Sequence, residues 1–313
     1  GVYDWVKKAF GKKLGFLAIW LQWINTIVWY PTILSFIAGL LAYLVDPNLV
    51  QHRSFLIGVI LVVFWVSTLL NLRGIKASAT FAMICGLLGM AIPMALICIL
   101  GVIWVLSGKP MNIHLSGHSM LPSFSHGNSW IALTAIITSF LGMELATVHV
   151  KQIKNAKKIF PKALTYSVIL VFVTMILGSL SIAFVLPVNK INLVDGIMQA
   201  FSFFFKAYHL GWLTPVIAVL ILIGSVGSLT NWIISPAKGL LYAAEDNFLP
   251  DFLKKVNSKG VPSNLLLTQA VLVSIVCLAF LLMPSVSGAY WLLTDLSTQL
   301  YVLMYFIMFL AAI

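Results

Sequence analysis

Glu144 is the only Asp, Glu, Lys or Arg between Lys109 and Lys151, and it stands two residues after Gly142 in an apolar run. An ionised carboxylate in hydrocarbon is costly, so such a residue faces a bundle interior or a watery cavity and marks a pathway or relay. Gly142 lets the backbone leave helical geometry or approach a solute closely, and a nearby hydroxyl such as Ser139 re-satisfies freed backbone groups. A helix broken within Ser139-Phe140-Leu141-Gly142-Met143 would offer amides and carbonyls to an amino or carboxylate group. The competing reading is a packing glycine, with Glu144 hydrogen-bonded to a neighbouring helix. Because a carboxylate can take up a proton, Glu144 is also the candidate for proton coupling or gating.

Two aromatic positions could complete a lining. Trp232, beside Asn231, lies about two turns beyond Gly224, the first residue of the small-residue run Gly224, Ser225, Gly227 and Ser228, which itself reads as close helix packing. Asn25 and Trp29 lie one helical turn apart, with Thr26 and Tyr30 beside them, a stripe that fits either a pocket or plain packing. Asp295 reads as an interfacial residue or a helix cap. Cys85, Cys98 and Cys277 have no metal-ligand spacing and read as small buried hydrophobes. His114, His118 and His126 fall in a Gly/Ser/Pro-rich stretch that gives weak grounds for a metal. Phosphate-loop, HExxH and GxSxG motifs are all missing, so neither an enzyme nor a cofactor is expected.

These residues must be positioned by membrane helices. The 313 residues are 61% hydrophobic and 9% charged, against roughly 25% charged in soluble domains. Stretches free of Asp, Glu, Lys and Arg run over 32 residues at 14–45, 19 at 54–72 and 32 at 77–108, and five more follow. Each can hold the roughly 20 apolar residues that cross a bilayer core. Eight spans are expected, near 15–44, 55–72, 80–106, 129–148, 164–186, 212–236, 264–283 and 289–313. The net charge of +11 could suggest nucleic acid, but it sorts by loop instead. Fifteen of the 19 Lys and Arg residues fall in one alternate set of loops, including Lys151, Lys154, Lys157, Lys158 and Lys162. That set marks the cytoplasmic side and puts both ends of the chain there.

Beyond the spans, residues 192–208 carry apolar side chains near helical spacing, as an amphipathic helix across an extracellular mouth would. The chain opens at Gly1 and stops at Ile313 inside an apolar run, so it reads as an internal piece of a longer protein. Spans one and six run in opposite directions, which permits an inverted repeat of five helices.

At this point the chain resembles a family. Gly142-Met143-Glu144 followed by Asn155-Ala156-Lys157-Lys158-Ile159-Phe160-Pro161 is similar to the G-x-E … N-P-x-R/K-x-x-P signature of amino acid–polyamine–organocation permeases. The segments 235–243, 246–250 and 255–262 resemble the same family's stretch after helix eight. Glu144 … His149-Val150, Ile191-Asn192-Leu193 and Trp232-Ile233 are similar to the bacterial glutamate/γ-aminobutyrate antiporter branch. The resemblance implies an all-α, leucine-transporter-like inverted-repeat bundle in the bacterial inner membrane, with eight of about twelve helices present. Residues 1–313 would be one partial permease domain equivalent to helices three to ten. It places Gly142 at the helix-six break, Glu144 at the acidic position beyond it, and Trp232 near the pathway. Two departures stand out: Ala156 replaces the signature proline, and a small polar residue near Ser228 replaces the branch's acidic one, which argues against glutamate as substrate.

The expected function is therefore a secondary transporter for amino acids or their amines, an exchanger before a proton symporter, with an ion channel as the rival class. Ser139–Met143, Trp232, Asn25 and Trp29 would line the solute site, Glu144 would couple or gate, and the partners would be solute, protons and lipid.

Overall fold

The computed structural model describes residues 1–113, 129, 133, 136–187, 196–278, 282–283 and 286–313. Helix α1 (Val2–Phe10) is amphipathic, burying Val2, Tyr3 and Val6 and exposing Trp5 and Phe10. Gly11, at φ 87°, turns the chain into α2 (Lys12–Val45), followed by α3 (Arg53–Leu72), α4 (Ile75–Gly86) and α5 (Ile92–Leu106). Then come α6 (Ala156–Val185), α7 (Gly196–Ala207), α8 (Leu213–Leu241), α9 (Ser263–Val276) and α10 (Val286–Leu310).

Among the described residues, six helical stretches are long and apolar enough to cross a membrane: α2, α3, a unit over Thr80–Leu106, α6, α8 with its extension, and α10. The other two expected spans are shorter, at Ile136–Thr147 and α9. The 14 residues of α9 rise about 21 Å, short of the roughly 30 Å of a hydrocarbon core. Its start is set by Pro262, and the helix gives way to a turn at Cys277. The protein is thus a polytopic helical bundle, with outward apolar side chains such as Tyr166, Ile169, Leu170 and Phe172 on α6.

At the centre stands α2, most of whose residues between Gly15 and Ala42 are buried, packed against α8, α10, α3 and α1. Along its other side α8 meets α4 and the turn that follows it where side chains are smallest. A Cβ on Gly89 would come within 2.5 Å of Gly224 Cα, and one on Gly227 within 3.2 Å of Cys85 Sγ. The small-residue run therefore does serve close packing, because dispersion between helices in lipid grows as backbones approach. Between α4 and α5, Leu87–Ala91 forms a π-helical turn, two residues before Pro93, whose missing N–H interrupts the regular ladder.

Some expectations shift. The cationic loop at 151–162 is largely helix, since α6 begins at Ala156 and carries Lys157, Lys158 and Lys162 in its first turns. Long lysine stems reach the interface from a helix as well as from a loop. Helix α7 falls within the expected 192–208 and buries Met198, Ala200, Phe201, Phe204 and Phe205. Asp295 is exposed in the interior of α10 and caps nothing. His114, His118 and His126 lie outside the described residues.

Candidate functional site

The break forms at Gly142. Residues 136–139 are helical, 140–142 turn, and Met143–Gln152 continue as a 3-10 helix. Gly142 adopts φ 95°, ψ −2°, the left-handed region that glycine enters without the Cβ penalty. The hydrogen bonds Phe140 N–Ile137 O, Leu141 N–Thr138 O and Leu145 N–Gly142 O, each 3.1 Å, tighten the chain around it.

Trp232 of α8 lies against this break. A Cβ on Gly142 would fall 2.7 Å from Trp232 Cζ2, so only glycine fits under the indole. On the other side the Trp232 ring meets Trp29 of α2, with centroids 5.2 Å apart and planes tilted by 39°. Tyr30 OH donates to the Trp232 carbonyl at 2.9 Å and so fixes the turn of α8 that carries the ring.

A cavity of 450 Å³ opens between α2, α5, α8 and α10, lined by Asn25, Trp29, Ser139, Leu141 and Trp232 among others. Asn25, nearly fully buried, accepts from Ser297 Oγ of α10 at 2.5 Å. Gly142 and Met143 face a second cavity of 260 Å³ with Asn231 and Ser235, so the Trp232 ring borders both spaces. Phe140 borders neither. The turn carries it outward, where its ring lies 6.4 Å from Phe172 on α6. Of the seven expected lining residues besides Gly142, five border the first cavity, Met143 the second, and Phe140 neither.

Glu144, 8% exposed, is held by three neutral donors. Gln22 Nε2 donates to Oε1 at 2.7 Å, Tyr301 OH to the same oxygen, and Tyr305 OH to Oε2. Both carboxyl oxygens are thus hydrogen-bonded away from bulk water, as a buried polar group requires. Tyr301 also lines the large cavity, while Glu144 and Gln22 line a third space of 190 Å³ with Tyr3, Asp4 and Tyr242. The Tyr301–Glu144 pair therefore stands between the large cavity and the face that carries α1. Gln22, Ser297, Tyr301 and Tyr305 were not singled out from the sequence; the i, i+4 spacing of the two tyrosines was the available signal.

On that face, Asp246 at the end of the 3-10 turn Tyr242–Asp246 accepts from Tyr3, Lys7 and Lys12. The cluster ties α1 and the start of α2 to the end of α8. Hydrogen bonds from Lys12, then Lys7 and Tyr3, hold the Asp246 carboxyl well below the usual carboxylate range. Cys85, Cys98 and Cys277 are buried free thiols.

An apolar helical bundle enclosing a cavity beside a broken helix defines a class, that of polytopic membrane permeases. The chain belongs to the amino acid permease family, whose model, described as "Amino acid permease", matches residues 1–313. It is similar to an uncharacterised transporter of Legionella pneumophila, 42% identical over 313 residues, covering 100% of this chain and 67% of that protein. The glutamate/gamma-aminobutyrate antiporter of Lactococcus lactis is 30% identical over 279 residues, covering 88% of this chain and 55% of that protein. A probable agmatine/putrescine antiporter of Lactococcus lactis is 27% identical over 309 residues, with 97% and 64% covered. The chain thus spans between 55% and 67% of the length of these relatives.

Proposed function

We propose that the protein exchanges amino acids, or amines derived from them, across the cell membrane by alternating access. Residues 1–313 act as helices three to ten of a permease of about twelve helices, with the lysine-rich face and both chain ends on the cytoplasmic side. The observation that carries this reading is the seating of Trp232 on the Gly142 break, at the border of two cavities. A ring packed on a hydrogen-only position is held in one place while 142 keeps its left-handed geometry and is released when that segment moves.

On this reading Asn25, Trp29, Ser139, Leu141 and Trp232 contact the solute, while Gly142 and Met143 form the movable joint. Phe140 instead braces the segment against α6. Glu144, with its three donors, couples protonation or gating to the movement, and Tyr301 carries the link because it touches both Glu144 and the large cavity. The relatives' names, two of them antiporters, agree with exchange.

Counterflow tests the function. Labelled solute should enter proteoliposomes holding the full-length protein faster when unlabelled solute is inside. An ion channel would give no such trans-stimulation. Uptake indifferent to internal solute would remove exchange.

A further inference from the structure

We infer that the large cavity takes a solute with a neutral, bulky, apolar side chain (aliphatic, thioether or aromatic) and rejects glutamate-like anions and agmatine-like dications. The inference rests on the cavity being the solute site and narrows it to a substrate class.

The cavity wall is divided. Neutral polar groups, among them Asn25, Ser139, Ser297 and Tyr301, are contributed by α2, α10 and the segment before Gly142. Those groups suit the amino and carboxylate head of a zwitterion. The rest of the lining is mainly apolar, with Phe36, Met90, Met94, Ile221 and the Trp29 ring, interrupted on α8 by the hydroxyls of Ser225 and Ser228. Met90 and Met94 lie one turn apart, and their unbranched, polarisable thioethers adapt to apolar groups of different shape. Of the two α8 hydroxyls, Ser228 is occupied by Met90, donating to its Sδ at 2.7 Å.

Among the described residues, no Asp, Glu, Lys, Arg or His lines this cavity. Around it, no Asp, Glu, Lys or Arg occurs at 14–45, 77–108 or 207–237, nor between Lys109 and Glu144. Helix α7, which lends Ile197 to the lining, carries the exposed Lys206 nine residues further on, about 180° around that helix. Glu144 is committed to three donors and borders the other space. Asp295 is exposed, and its position two residues before Ser297 turns it about 200° around α10 from that lining residue. A second carboxylate or guanidinium on the solute would lose its water among methionine and aromatic side chains without meeting a counter-charge. The faces of Trp29 and Trp232 attract a cation but do not replace an acid for a dication.

The test is counterflow with the full-length wild-type protein in proteoliposomes, using labelled methionine, leucine and phenylalanine against glutamate, γ-aminobutyrate, arginine and agmatine. The apolar amino acids should exchange at least about tenfold faster than the charged ones, the lower end of what an apolar pocket discriminates. Glutamate, arginine or agmatine exchanged as fast as methionine would overturn the inference and leave the exchanger reading intact. No trans-stimulation by any of them would overturn both. Ser228→Glu adds a second readout: it should raise the ratio of arginine to methionine exchange about tenfold or more. A ratio unchanged in a variant that still exchanges solute would count against the inference.

Discussion

Gly142 and Trp232 are in contact through a gap that admits a hydrogen and no carbon: a Cβ at 142 would lie 2.7 Å from Cζ2 of the indole. Residue 142 also sits at φ 95°, where a side chain costs about 1–2 kcal/mol. Gly142→Ala should therefore cut exchange about tenfold or more, while the protein still inserts and purifies. Trp232→Phe in the same chain should recover part of the loss, because the smaller ring removes the clash but not the backbone penalty. A double variant no better than Gly142→Ala alone, in the same counterflow assay, would place the effect elsewhere.

Glu144 depends on donors that come from two other helices. Tyr301→Phe and Tyr305→Phe each remove one hydrogen bond to a carboxylate, typically about 1.5–3 kcal/mol, while retaining the ring. Both should slow exchange, with the larger loss at Tyr301 because its ring also lines the cavity. Glu144→Gln should flatten the dependence of uptake on pH. A Glu144→Gln protein with the wild-type pH profile would leave Glu144 no proton-coupling role.

Asp246 makes stability depend on pH in a stated direction. Its folded carboxyl is held below the usual range by Lys12, Lys7 and Tyr3, so its contribution is full above the unfolded value, about 4, and is lost as pH falls toward the folded one. Asp246→Asn should lower the melting temperature at pH 7, and the gap to wild type should close as pH drops below about 4. Thermal melts in detergent across that range check it. A gap independent of pH would mean the ion pairs stabilise nothing.

The contact of α8 with the π-helical turn Leu87–Ala91 tolerates no added volume. Gly224→Val would drive side-chain carbon into Gly89, and overpacking of this kind costs about 1–3 kcal/mol. Reduced monodispersity on size-exclusion chromatography is the expected result, and a wild-type profile would show that the helices separate freely.

Much of the bundle was legible because lipid imposes long apolar runs, and six of the eight expected spans stand as long helices. Glu144 was visible as a lone acid and Gly142 as a place where a helix could break. Tyr301, Tyr305 and Gln22 were not, because their meeting with Glu144 spans 157, 161 and 122 residues of chain and leaves no local pattern. Aromatic residues in a span look the same whether they pack against lipid, a helix or a cavity. Phe140 illustrates the same limit: one turn of backbone at 140–142 separates it from neighbours that border the cavities.

The most direct measurement is solute protection of a single thiol in the large cavity. Ser225, which lines it, would be replaced by Cys in a full-length protein whose buried Cys85, Cys98 and Cys277 are Ala. A small water-soluble thiol reagent should modify Ser225→Cys, and methionine should slow the reaction in proportion to its occupancy. Modification at one rate with and without every exchanged solute would contradict the assignment of this cavity to the transport path.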